Sequence, residues 1–134
     1  MRVKQVKTKP YRNKFEERTA EVLGSLCEYE PYKIPYVTYR NYIPDFVGKT
    51  EDGLKTLIVE AKGFFRVGDV QKYKAIRDSL RSESVQSGET TELIFVLYNP
   101  NKKLRKGSKM NMGEWCTKEG LKWFTVENVR DAFT

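Results

Sequence analysis

Histidine is absent from this chain of 134 residues, which excludes histidine-dependent nucleases, Ser-His-Asp hydrolysis and histidine-ligated zinc. Only two cysteines occur, Cys27 and Cys116. They are too few for a zinc site and lack redox spacing, so both read as small buried apolar residues. The longest apolar run, Leu93 to Tyr98, falls far short of the roughly 20 residues that span a bilayer. No signal-peptide pattern opens the chain, and the expectation is a soluble intracellular protein with no membrane partner. Repeats and low-complexity linkers are lacking as well. Acids are outnumbered: 25 Lys and Arg against 18 Asp and Glu give a net charge of +7. A basic balance favours a polyanionic partner, most commonly nucleic acid. The length suits one domain burying roughly two thirds of its unfolded surface.

The chemistry concentrates in Thr56-Leu57-Ile58-Val59-Glu60-Ala61-Lys62-Gly63. On a strand, side chains alternate between faces, so Ile58, Glu60 and Lys62 share one face while Leu57, Val59 and Ala61 share the other. A carboxylate and an ammonium then leave the same face roughly 6 to 7 Å apart. Gly63, lacking a Cβ, permits close approach of a backbone or ligand. Asp45 lies in Tyr42-Ile43-Pro44-Asp45-Phe46-Val47, and a hairpin pairing 43–47 with 56–62 would bring it near Glu60. Two carboxylates and a lysine suit Mg²⁺ acting on phosphate: Asp45 and Glu60 as ligands, the Ala61 carbonyl as a further oxygen, and Lys62 on the scissile phosphate or the attacking water. An ordinary strand ending in a cross-strand ion pair has the same residues, and both readings stand at this point.

Residues 1–12 carry Arg2, Lys4, Lys7, Lys9 and Arg12 with no acid; a DNA-contacting arm and a disordered terminus look alike here. Asn13 and Glu16 read as an N-cap and its capping-box acid. They open a helix to about Leu26 with an apolar stripe of Phe15, Thr19, Val22, Leu23 and Leu26. Residues 29–43 hold five tyrosines with Pro31 and Pro35. The prolines favour an extended edge segment over a central strand, and packing explains the tyrosines better than nucleic-acid contact. A turn at Glu51-Asp52-Gly53 precedes the Glu60 strand. Asp69 reads as the N-cap of a second helix with Val70, Tyr73, Ile76 and Leu80 on one face and Lys72, Lys74, Arg77 and Arg81 around the rest; 82–91 reads as loop. Glu92 to Tyr98 lacks alternation, the mark of a strand buried on both faces at the centre of a mixed sheet. Lys102, Lys103, Arg105, Lys106, Ser108 and Lys109 form the densest basic run, suited to phosphate contact, with Gly107 and Ser108 offering backbone donors. Asn111 and Glu114 read as a cap leading a short helix that ends at Gly120, followed by a strand near 121–125 and a helix over 127–133.

In this order the elements resemble the phage endonuclease I family of junction-resolving nucleases. The resemblance rests on Phe15-Glu16, Tyr42-Ile43-Pro44-Asp45-Phe46, Val59-Glu60-Ala61-Lys62-Gly63, Lys103-Leu104-Arg105-Lys106-Gly107-Ser108, Gly113-Glu114-Trp115-Cys116 and Gly120-Leu121-Lys122-Trp123-Phe124. It implies an α/β restriction-endonuclease-like fold: a mixed sheet flanked by helices, over one nuclease domain, 13–134, behind a basic arm, 1–12. It further implies an intertwined, domain-swapped homodimer in which 29–43 form a β bridge and the first helix serves the partner's active site. Glu16 thereby joins Asp45, Glu60 and Lys62 as a catalytic residue. The implied activity is Mg²⁺-dependent cleavage of branched DNA, above all the four-way junctions of DNA recombination, with Mn²⁺ able to substitute. The implied setting is the cytoplasm of an infected bacterial host. Arg2, Lys4, Lys7, Lys9, Arg12, Lys72 and the 102–109 run would then contact DNA, because recognition by shape needs many phosphate contacts and few base contacts. The alternatives are a sequence-specific restriction or repair nuclease on the same core, and a basic nucleic-acid-binding module without catalysis.

Overall fold

The computed structural model describes residues 10–134, so Arg2, Lys4, Lys7 and Lys9 of the predicted basic arm lie outside the described residues. The chain forms two compact units, one ending at Arg40 and the other spanning Asn41–Thr134.

In the first unit Asn13 caps α1, Lys14–Leu23, its side chain accepting the Glu16 N–H at 2.9 Å. The predicted capping acid reaches one residue further than a capping box requires, because Glu16 Oε1 accepts the N–H of Arg12 at 2.9 Å. Gly24 stops the α-helix with φ of 51°, and a single 3-10 turn, Gly24–Leu26, follows. The helix forms where its periodicity predicts, yet its stripe is not buried: α1 has no buried residue, and Leu26 is 84% exposed. Between Tyr29 and Arg40 no strand forms. The packing expected of the tyrosines there is not seen for Tyr32, Tyr36 and Tyr39, which are exposed.

The second unit is built on a four-stranded sheet in the order β1-β2-β3-β4, with β1 Phe46–Lys49, β2 Lys55–Lys62, β3 Thr90–Leu97 and β4 Lys122–Phe124. The β1–β2 pair is antiparallel and the other two pairs are parallel. The expected hairpin turns at 51–54, where Asp52 Oδ1 accepts the Thr50 hydroxyl and the Leu54 N–H. β3 lies between β2 and β4 with Leu93, Ile94, Phe95 and Leu97 buried, as a strand covered on both faces should be. Alternation along β2 divides the core as expected. Leu57 and Val59 pack with Ile94, Phe124 and Phe133 on one face. Ile58 packs with Phe65, Tyr73, Phe95, Trp115 and Met112 on the other.

The second helix, α2, runs over Asp69–Ser87 and differs from expectation at both ends. Gly68, in the left-handed conformation, is the N-cap, and Asp69 is the first helical residue. At the other end the polar stretch from Ser82 continues the helix until Gly88, whose φ of 79° terminates it. Serines and charged residues are tolerated on an exposed helical face, and composition alone could not mark them as helical. Asn111 caps α3, Met112–Lys118, in a reciprocal capping box with Glu114. A 3-10 turn, Val129–Phe133, ends the described chain, a shorter element than the predicted helix. Cys116 is buried, which pushes its thiol up to about 12, whereas Cys27 is exposed, against expectation. No described helix is long and apolar enough to cross a membrane.

Candidate active site

Register brings the predicted residues together. Phe46 pairs with Val59, so the residue before β1, Asp45, comes level with Glu60 on the neighbouring strand. Asp45 Oδ2 accepts the N–H of Ala61 at 2.9 Å, which seats this exposed carboxylate on the backbone between Glu60 and Lys62. Glu60 itself faces inward with 7% of its surface exposed. A carboxylate so buried needs partners, and two tyrosines hydrogen-bond to it: Tyr42 donates its hydroxyl to Oε1, and Tyr73 donates to Oε2 at 2.9 Å. Such hydrogen bonds, about 1.5–3 kcal/mol each when they reach a charged group, offset part of the cost of burying the side chain where the strand alternation points it. Burial first, and the bond to Glu60 second, push both tyrosine hydroxyls far above their ordinary range. The shift favours the protonated hydroxyl, the form that donates.

Lys62 projects from the same face of β2. Its ammonium lies 3.2 Å from Asp69 Oδ2 and 4.0 Å from Glu60 Oε2. Asp69 also accepts the Arg66 N–H at 2.8 Å, tying the loop after β2 to the first turn of α2. Lys62 Nζ stands 5.0 Å from the centroid of the Tyr73 ring. Lys72, predicted as a DNA contact, stands 5.3 Å from that ring and 5.6 Å from the Tyr42 ring. At Gly63 a Cβ would meet nothing within 4 Å, so the space beside this strand end is open to another molecule.

No cluster of three or more His, Cys, Asp or Glu side chains placed to hold a metal occurs among the described residues. Asp45 and Glu60 are oxygen donors at adjacent positions, and the Ala61 carbonyl belongs to the same strand end. A hard divalent cation commonly takes one or two carboxylates and fills its remaining positions with water and phosphate, and the donor set fits that pattern.

Each of the other predicted residues that the structure describes is placed within its own unit. Glu16 belongs to the first unit, where its carboxylate accepts the Tyr29 hydroxyl at 2.7 Å and lies 3.6 Å from the Arg12 guanidinium. The Tyr29 bond, then the Arg12 backbone bond, hold Glu16 below its ordinary value of 4.5. The same bond raises Tyr29 to about 12. Arg12 is also paired with Glu30, so it is engaged within its own unit. The basic run is a tight hairpin rather than a loose loop: Lys103 bridges to Asn111, Leu104 N–H donates to Met110 at 3.1 Å, and Met112 N–H donates to Lys102 at 2.8 Å. Lys102, Lys103, Arg105, Lys106 and Lys109 are exposed on it. Ser108 differs from expectation, since its N–H donates to Arg105 and its hydroxyl to the Met110 carbonyl.

Sequence reasoning missed Tyr42, Tyr73 and Asp69 as members of this site. Tyr73 carried a usable signal: it is the one residue with a polar tip on the otherwise aliphatic stripe of α2, and a buried tyrosine hydroxyl requires a partner.

A family model described as Phage endonuclease I matches residues 1–129. The chain is 30% identical over 119 residues to Endonuclease I of Escherichia phage T7, covering 84% of this chain and 71% of that protein. It is 29% identical over 117 residues to Endodeoxyribonuclease 1 of Enterobacteria phage T3, covering 83% of this chain and 68% of that protein.

Proposed function

The chain belongs to the phage endonuclease I family, and from that premise we propose that it is an endodeoxyribonuclease selective for branched DNA, above all four-way junctions. The observation that carries the reading is the seating of Asp45 on the Ala61 N–H, which draws two carboxylates and a lysine to one strand end. Asp45, Glu60 and the Ala61 carbonyl would hold Mg²⁺, or Mn²⁺ in its place. Bound there, the cation supplies positive charge to the phosphate and activates water. Lys62, held by Asp69, places its ammonium toward the scissile phosphate, where it stabilises charge or orients the attacking water. Attack at phosphorus in line with the 3′ oxygen leaves a 3′-hydroxyl and a 5′-phosphate.

The mixed sheet, with the strand end at Lys62 joined by a short loop to α2, supports a restriction-endonuclease-like core. The unburied stripe of α1 and the exposed apolar side chains Tyr32, Ile34, Tyr36, Val37 and Tyr39 support an intertwined homodimer. In it, residues 29–43 bridge the subunits and Glu16 completes the partner's site. The exposed cations of the 102–109 hairpin, Lys72 and the basic residues 1–12 would meet backbone phosphates. Such an enzyme works in the cytoplasm of an infected bacterium.

The test is cleavage of a synthetic four-way junction and of linear duplexes of the same sequence, with Mg²⁺ and with chelator. The expected result is Mg²⁺-dependent cutting of the junction alone. Cutting of the linear duplex at a fixed sequence would point to a restriction-type enzyme. Tight binding with no product in any metal would sink the catalytic reading.

A further inference from the structure

Glu60 takes its two side-chain hydrogen bonds from neutral donors, and its one ion pair among the described contacts is longer. Its oxygens accept from Tyr42 and Tyr73, and the Lys62 ammonium stays 4.0 Å away, closer to Asp69 at 3.2 Å. We propose that Tyr42 and Tyr73 are positioning residues of the nuclease site, fixing the Glu60 carboxylate in one orientation while leaving its charge available to a divalent cation. The inference rests on the nuclease reading and extends it by two side chains.

The chemistry of the donor decides the matter. A carboxylate buried to this degree must be hydrogen-bonded, but an ammonium doing that work would cancel the charge a metal needs. A hydroxyl fixes the oxygen and stays neutral. Each carboxylate oxygen has more than one lone pair, so accepting from a tyrosine does not close it to a metal.

The rings are held by packing. Tyr73 is fully buried, with Phe95 at 5.1 Å and Phe65 at 6.1 Å between ring centroids, and Tyr42 stands edge-on to it at 6.2 Å. The ring faces also attract the two neighbouring ammonium groups, Lys62 and Lys72, as aromatic faces do. Asp69 and the Tyr73 ring thus hold the Lys62 ammonium at the outer edge of ion-pair distance from the carboxylate, which leaves the direct hydrogen bonds to the two hydroxyls. Partners that orient a metal ligand typically change affinity or activity by about 10- to 100-fold when removed.

The experiment uses the full chain without DNA and titrates Mn²⁺ by calorimetry into wild type, Tyr42→Phe, Tyr73→Phe, the double variant and Glu60→Gln. Phenylalanine keeps each ring and removes only the hydroxyl. Each single variant should bind Mn²⁺ about ten-fold more weakly, the double variant more weakly still, and Glu60→Gln weakest of all. The Mg²⁺ concentration for half-maximal junction cleavage should rise by the same factor, with a smaller change in rate at saturating metal. Thermal unfolding without metal reports packing separately, and the partly buried Tyr42 keeps the test open should Tyr73→Phe fail to fold. Wild-type Mn²⁺ affinity in a folded Tyr42→Phe or double variant would overturn the proposal even if stability fell. If only Glu60→Gln loses affinity, the tyrosine assignment alone is wrong. A wild-type chain that binds no Mn²⁺ removes both the assignment and the metal site beneath it.

Discussion

Glu16 and Glu60 are both carboxylates that accept tyrosine hydroxyls, and they are held by opposite means. In the first unit Glu16 lies on a helix with no buried residue and pairs with Tyr29 of the segment that follows, and the hydrogen bond itself is the main cause of both shifts, Glu16 down and Tyr29 up. In the second unit Glu60 sits against a core of Phe65, Tyr73, Phe95 and Trp115, and burial outranks the hydrogen bond in raising Tyr42 and Tyr73. The first arrangement is a local contact that solvent can compete for. The second is a preorganised one, because its partners are fixed by packing before any ligand arrives. Within its own unit Glu16 has no packed surroundings like those of Glu60.

The largest effects should come from the preorganised side. Glu60→Gln or Asp45→Asn should reduce Mg²⁺-dependent junction cleavage to background while leaving junction binding intact or stronger, since loss of a carboxylate also lessens repulsion of phosphate. Wild-type cutting by either variant would remove the proposed metal site.

Next comes the test of shared sites. A heterodimer of Glu16→Ala and Asp45→Ala subunits places both lesions in one site if Glu16 serves the partner, and leaves the other site whole. It should nick one strand per junction while each parental homodimer is inactive. A folded heterodimer as dead as its parents would show that Glu16 acts within its own subunit.

Stability separates the units further. Phe95→Ala should cost about 3–5 kcal/mol, as expected for a large-to-small change at a fully buried aromatic, read as a lower denaturation midpoint. Leu26→Ser should leave the unfolding of the second unit within about 0.5 kcal/mol. If the α1 stripe is buried against a second copy, the same variant should raise the dimer dissociation constant about ten-fold or more, since burying a leucine contributes roughly 1.5–3 kcal/mol. Light scattering over a dilution series decides it.

A smaller effect is expected at the basic hairpin. Neutralising Lys103, Arg105 and Lys106 together should weaken binding to all branched DNA and flatten the slope of log affinity against log salt by up to about 3, roughly one unit for each phosphate that no longer meets a cation. Cut positions should stay in place. An unchanged slope would leave these cations facing solvent only.

The smallest effect is at Glu16 itself. Its depressed folded value means that whatever stability the pair contributes is present above the ordinary carboxylate value of 4.5 and is lost as pH falls through the lowered one. Tyr29→Phe removes the largest cause and should move Glu16 back toward 4.5, leaving the Arg12 contacts to hold the rest. Carboxyl-carbon chemical shifts across an acid titration measure this directly; no movement would mean that the Tyr29 bond is absent in solution.

Local pattern determined a good deal of this protein. Asn13 and Asn111 were legible as caps because a cap needs only a side chain and the N–H groups within three residues of it. The two faces of β2 were legible because alternation is a property of the backbone, and the central place of β3 because a strand covered on both sides has no polar face to show. The pairing of Asp45 with the Glu60 strand end followed from a short hairpin, whose turn sets its register. The end of α2 was not legible, since Arg81 to Ser87 carries no apolar stripe and only Gly88 stops it. Tyr42, Tyr73 and Asp69 meet Glu60 and Lys62 across 18, 13 and 7 residues of sequence. Their meeting depends on where α2 lies on the sheet and on how far Tyr73 sinks between Phe65 and Phe95. Local hydrogen bonds and alternation could place each residue on its own element; only packing, which sums many contacts distant in sequence, could bring two hydroxyls onto one buried carboxylate.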